Sequence, residues 1–254
     1  MTTFSQRAVA AALALAIVLF PRATASAVEL QVLAGGGIAG PLIELAKQFE
    51  SASGHKLVIR FGTTPELIKL ATTGGPFDLG VVPREVMKDD GARARFAPGP
   101  TTDVARVGLG VAVRAGGPKP VIGTADALKQ ALLKAQSVAT IPASAAGAQV
   151  LRAFDRLGIG EEMKARTKAQ PGPAQIVEAV AKGEAELGVF LINVLTAPGL
   201  DVVGPFPPEV QQEIFFTAGP AASTDQGEAA KAFIAFLMSP SSAAVIKAKG
   251  MTPG

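Results

Sequence analysis

The chain of 254 residues contains no cysteine, no tryptophan and no tyrosine, and its only histidine is His55. Without cysteine there is no disulfide, no thiolate chemistry, no cysteine-ligated metal and no lipid-bearing N-terminal cysteine. His55 follows the turn Ser53-Gly54 and is expected to face solvent, so neither a histidine-based triad nor a multi-histidine metal site is expected. The 13 phenylalanines are the only aromatics, which disfavours a carbohydrate ligand, because sugars are usually held on Trp or Tyr faces. An excess of one charge is missing too: the formal net charge is +3. Such a balance gives no electrostatic case for a nucleic acid or a membrane surface.

What is present begins with an export leader. Arg7 forms a charged start, Ala8 to Phe20 an apolar run, and Ala25-Ser26-Ala27 an A-x-A cleavage site. The run is too short for a spanning helix, which needs about 20 residues, and no later stretch replaces it. Cleavage near Ala27 removes Arg7 and Arg22, lowers the formal charge from +3 to +1, and leaves a periplasmic chain able to diffuse freely.

Beyond the leader, strand and helix patterns alternate. Glu29 to Leu33 reads as a strand, and Leu42, Ile43, Leu45, Ala46 and Phe49 recur at helical spacing. Lys56 to Phe61 is a second strand, Pro65 to Thr72 a helix with proline in its first turn, and Leu79 to Val82 a short buried strand between breakers. This βαβαβ unit is followed by a long glycine-interrupted stretch, Val104 to Val113. A second series then comprises helix 124–133, strand 137–141, helix 146–157, helix 175–181 and strand 187–191. The final helices, 224–238 and 241–249, have no strand after them and must pack back on the first unit. The predicted fold is α/β with two lobes, each a mostly parallel sheet flanked by helices, and two hinge crossings. Residues 28–109 and 206–254 are assigned to the first lobe and 110–205 to the second.

Three strand-to-helix loops carry the candidate functional residues. Gly35 to Gly40 matches G-x-G-x-x-G after a strand, the dinucleotide pattern. The strand that should supply the ribose-binding acid ends instead in Arg60-Phe61-Gly62. Arg60 would suit a 2′-phosphate, yet the leader lacks the twin arginines typical of cofactor-loaded exported proteins. The loop therefore reads as a nucleotide site, a tight turn, or a cradle in which Gly36 and Gly37 let a ligand approach unpaired amides at a helix start. In the second loop Thr63 and Thr64 stand where a helix begins, as caps or as ligand donors. In the third, Ser144 has the same two readings.

Together these stretches resemble the periplasmic molybdate-binding proteins and their type II solute-binding relatives. The residues that carry the resemblance are Ala34-Gly35-Gly36-Gly37, Phe61-Gly62-Thr63-Thr64 and Gly75-Pro76-Phe77-Asp78-Leu79, with Ala146-Gly147, 183–189, Ser239-Pro240 and Gly250-Met251-Thr252. The resemblance implies a receptor that closes on a small anion, a molybdate-like oxyanion or an organic one, and delivers it to an ABC permease. It implies that Gly37 stands where relatives place a binding serine, that Thr64 keeps the second-loop hydroxyl, and that backbone donors fall near Ala146 and Pro173. Pro173, however, has no N–H. The position of a binding tyrosine falls on Leu191, with Asn193 close enough to substitute in part. No catalytic residue, metal or cofactor is expected, and a monomer is. The competing readings are an isomerase or hydrolase built on the same fold, using Ser144, Thr64 or a carboxylate, and a nucleotide-binding protein.

Overall fold

A computed structural model describes residues 27–254; apart from Ala27, the leader lies outside the described residues. β1 (Glu29–Gly35) runs through a 3₁₀ turn at Gly36–Ile38 into α1 (Ala39–Ser53). Leu42, Leu45, Ala46 and Phe49 form the buried face of α1, the stripe that a 3.6-residue period predicts. β2 (Lys56–Gly62), α2 (Thr64–Thr73) and β3 (Leu79–Pro83) complete the first unit, and all five residues of β3 are buried. A 3₁₀ segment, Arg84–Lys88, and the single turn α3 (Asp90–Arg93) lead to the 13-residue β4 (Thr102–Arg114).

The second series is α4 (Ala125–Lys134), β5 (Val138–Thr140), α5 (Ala145–Arg156), α6 (Gly160–Arg166), β6 (Thr167–Ala169), α7 (Pro173–Ala181) and β7 (Leu187–Leu191). It is followed by β8 (Leu200–Pro205), β9 (Glu213–Pro220), α8 (Gly227–Leu237), α9 (Pro240–Ala248) and the two-residue β10 (Thr252–Pro253). The last element corrects the expectation that no strand follows the final helices: Thr252 and Pro253 pair with Arg106 and Ala105. Two residues are too few to show any periodicity.

The strands form one curled sheet in the order β2-β1-β3-β9-β4-β7-β5-β6, with β8 and β10 also paired to β4. β1, β2 and β3 are mutually parallel, as are β5, β6 and β7, whereas β4 and β9 run against their neighbours. β4 passes from one half to the other. Its residues up to Gly108 pair with β9, and those from Leu109 onward pair with β7 and β8. The chain returns between β8 and β9.

The return is held by packing on α1. The Phe233 and Phe236 rings of α8 lie 4.9 and 5.5 Å from the Phe49 ring, and Lys249 Nζ lies 2.9 Å from Glu44 Oε2. His55 is not the solvent-facing side chain expected from its turn. It is 8% exposed, its ring is 5.8 Å from Phe49, and its Nδ1 accepts the Val28 N–H at 3.2 Å. The turn folds under the start of β1, which buries the imidazole as a structural partner. Asp78 joins the same parts of the chain: Oδ2 accepts the Gln31 N–H at 2.7 Å and Oδ1 accepts the Thr224 hydroxyl at 2.6 Å.

Candidate functional site

In a parallel α/β sheet the loops that leave the carboxyl ends of the strands lead into helix starts, so ligands gather there. The five loops and strand ends that follow this rule meet at one place between the halves. β1 contributes Gly36 and Gly37, β2 contributes Gly62, Thr63 and Thr64, β5 contributes Ile141 and Ser144 to Ala146, β6 leads to Pro171, Gly172 and Pro173, and β7 ends there at Phe190 and Leu191. The cavity they enclose measures about 170 Å³, of the order of the ~150 Å³ cavity known to take a benzene-sized guest.

The structure brings the sequence-predicted residues together. Gly36, Gly37, Thr63, Thr64, Ser144, Ala146, Pro173 and Leu191 all line this cavity. Asn193 stands behind it, with Nδ2 donating to the Gly37 carbonyl at 2.9 Å. A second bond crosses between the halves, from the Ala145 N–H to Thr64 Oγ1 at 3.0 Å. These bonds span 156 and 81 residues of sequence, so no local pattern announces them.

The hydroxyls differ in what they can still do. Thr63 donates to Glu66 Oε2 at 2.8 Å, and its own N–H donates to the same oxygen at 2.7 Å. Ser144 donates to the Ile141 carbonyl at 2.8 Å and accepts the Gly147 N–H at 2.9 Å, an N-cap of α5. Gly147 can be nothing larger, because a Cβ there would overlap the Ile141 carbonyl. Thr64 accepts from Ala145, but its own proton has no protein acceptor among the described residues. A hydroxyl carries one donor and two acceptor positions. Thr64 is therefore the side chain of the three that can donate into the cavity without breaking a bond.

The electrostatics come from the backbone. The starts of α2, α5 and α7, with the 3₁₀ turn that leads into α1, border the cavity, and a helix start has first-turn amides without intrahelical partners and a partial positive charge. Among the described residues no Lys, Arg or His lines it, and Glu66 is the one ionisable side chain that does. The Thr63 N–H, and secondarily the Thr63 hydroxyl, hold the Glu66 carboxyl below its usual range. Arg60, considered above for a 2′-phosphate, donates to the carbonyls of Gly74 and Pro76 at 3.3 and 3.2 Å. Its guanidinium braces the turn before β3.

Sequence reasoning missed Glu66, although Thr63-x-x-Glu66 has capping-box spacing that would have placed its carboxylate beside the second loop. It also missed Phe190, Ile214 and Phe216, which complete the apolar wall and are at most 2% exposed. Ile214 and Phe216 lie on β9, a strand not expected from the sequence, so no motif pointed to them.

A cavity between two α/β halves, ringed by helix starts and bridged by hydrogen bonds from side to side, defines a two-lobed binding protein. The chain belongs to the bacterial extracellular solute-binding proteins, whose family model matches residues 30–252. It is 36% identical over 233 residues to an aconitate isomerase of a Pseudomonas species, covering 88% of this chain and 87% of that one. It is 30% identical over 241 residues to the molybdate-binding protein ModA of Azotobacter vinelandii, covering 89% and 90% of the two chains. In structure it is similar to the Azotobacter vinelandii periplasmic molybdate-binding protein with a TM-score of 0.74, at 22% identity and over 88% of this chain and 98% of that one. The molybdate-binding-like, two-lobed α/β assignment therefore holds.

Proposed function

We propose that this protein is a periplasmic receptor that captures one small anion between its lobes and delivers it to an ABC permease without altering it. The observation that carries this reading is the meeting of three helix starts and the 3₁₀ turn before α1 on a cavity that no basic side chain lines among the described residues. Such a site attracts negative charge through oriented N–H groups, which need no reorganisation when the guest arrives. Residues 28–109 and 206–254 form the first lobe in this reading and 110–205 the second. Closure about the two crossings is the functional motion, and the two bonds from Thr64 to Ala145 and from Asn193 to Gly37 join the closed lobes. The receptor acts as a monomer; its leader directs it to the periplasm.

A nucleotide is disfavoured by the same contacts. A Cβ on Gly36 would lie 3.3 Å from Pro173 Cγ, and one on Gly37 would lie 2.5 Å from Leu191 Cδ1. Pro173 and Leu191 therefore pack against the loop that a pyrophosphate would have to approach.

One observation favours an enzyme: the relative 36% identical to this chain is named aconitate isomerase. Moving a proton on a carbon skeleton needs a base, and Glu66 is the one ionisable group lining the cavity among the described residues. Held low by Thr63, it is a weak base for that task. For a hydrolase, the Ser144 proton is directed to a backbone carbonyl and no base stands beside it.

Thermal unfolding in the presence of small anions, neutral solutes and nucleotides tests the reading, since a ligand of the native state raises the midpoint. A rise with at least one small anion is expected; a rise with NADP alone would reverse the assignment. Proton NMR of the protein with cis- or trans-aconitate tests the second part. Unchanged spectra are expected, and interconversion would establish the enzyme.

A further inference from the structure

We infer that the captured anion is an organic carboxylate with an apolar body and not a tetrahedral inorganic oxyanion. This narrows the receptor reading above and rests on it.

The first ground is the supply of donors. A dianion stripped of water is stable only when all its oxygens are hydrogen-bonded, because unpaired buried charge is costly. Here much of the supply is engaged within the protein. The Ala145 N–H is taken by Thr64, the Gly147 N–H by Ser144 and the Thr63 N–H by Glu66. The first residue of α7 is Pro173, with no N–H to offer. What is left for a guest is the Thr64 proton and the few first-turn amides that each helix start leaves free, such as that of Ala146. That set suits a single carboxylate group, with two oxygens to satisfy, better than a dianion with its charge spread over four.

The second ground is the wall. Phe190, Leu191, Ile214 and Phe216 are at most 2% exposed and face the cavity together with Ile141 and Phe61. A hydrocarbon body gains about 25 cal/mol for each Å² of apolar surface it covers, whereas an all-oxygen surface gains nothing and leaves its charge facing carbon.

The wall is also locked against polar replacement. A Cβ on Gly37 would meet Leu191 Cδ1 at 2.5 Å and Phe216 Cζ at 3.0 Å, so a hydroxyl-bearing side chain at position 37 requires Leu191 to move aside. Finally, ionised Glu66 stands on the Thr63 side of the cavity. A guest with charge all round meets that repulsion in every orientation, while a carboxylate with a neutral flank can turn the flank toward it.

Isothermal titration of the purified protein with molybdate, tungstate, sulfate and phosphate, and with saturated and unsaturated mono-, di- and tricarboxylates, decides the matter. We expect at least one carboxylate to bind about a hundredfold more tightly than any oxyanion, the scale set by contact with a few methylene-sized groups. Leu191→Ser should weaken that carboxylate about tenfold, with the fold checked by circular dichroism. Molybdate or tungstate binding as tightly as the best carboxylate would overturn this inference and leave the anion-receptor reading standing. Failure of both classes to bind would overturn both.

Discussion

Leu191 occupies the space that a side chain on Gly37 would need: its Cδ1 lies 2.5 Å from the position a Cβ would take. The two residues come from opposite parts of the sheet, Gly37 from the turn after β1 and Leu191 from the end of β7. Leu191 reaches this space because the glycine has no side chain.

Coupling between them follows. Gly37→Ala alone overpacks the closed site and should lower stability by about 1–3 kcal/mol. Leu191→Ala in the same chain should recover most of the loss, giving an interaction energy of about 0.5–3 kcal/mol in a double-mutant cycle. Denaturant unfolding of the four proteins measures it, and additive effects would show that the lobes do not meet at these residues.

Thr64 accepts a bond from the opposite lobe and has a proton to give the guest. Thr64→Val removes both while keeping the shape, and should weaken ligand binding about tenfold, the value of roughly one hydrogen bond. Thr64→Ser should bind nearly as the parent does. Equal affinities of the valine and parent proteins in titration calorimetry would remove Thr64 from the site.

Glu66 sets a pH dependence. Its folded pKa lies below the ordinary glutamate value, chiefly through the Thr63 N–H. A carboxylate depressed in the folded state contributes stability that is fully present above its unfolded pKa and is lost as the pH falls through the folded one. Glu66→Ala should therefore cost about 0.5–1 kcal/mol at neutral pH, the scale of a helix cap on an exposed and screened site. The gap between parent and variant should close on acidification below the ordinary carboxylate range. Urea unfolding at neutral and acid pH measures this, and a gap that does not change with pH would refute the cap.

The crossing between the lobes is braced by Gln211. Its Oε1 accepts the Leu109 N–H at 2.8 Å and its Nε2 donates to the Leu109 carbonyl at 2.9 Å. Leu109 lies between the last β4 residue paired with β9, Gly108, and the first paired with β8, Gly110, so the side-chain amide supplies bonds where neither of those strands reaches. Gln211→Leu leaves a buried N–H without an acceptor and should destabilise by about 1–3 kcal/mol. Gln211→Glu keeps the acceptor for that N–H and should lose less of it. A leucine variant as stable as the parent would show that the brace is incidental.

Much of the frame was legible because its signals are local. Leu79 to Val82 reads as a buried parallel strand between breakers and forms β3 with Pro83, and Leu42, Leu45, Ala46 and Phe49 trace one face of α1. The loops around Gly36, Thr64 and Ser144 could be found because a helix start must be capped or left open whatever surrounds it. Pairing along β9 was not legible. Its alternation of Ile214 and Phe216 with Phe215 and Thr217 takes its meaning from β3 and β4, strands more than 100 residues away. His55 was misread for a related reason: a turn that looks solvated in sequence is covered by β1 and Phe49.

By itself the sequence determined the alternation of strands and helices, the absence of thiol chemistry and the places where helix amides would be free. Those properties follow from residue type and spacing, which act over a few residues. Only the tertiary structure decided that three of the helix starts meet at one cavity, that Leu191 fills the space above Gly37, and that the Thr64 proton is still available when those of Thr63 and Ser144 are not. Such facts depend on which distant groups are brought within a few ångströms, and that is set by how the curled sheet folds the two lobes together.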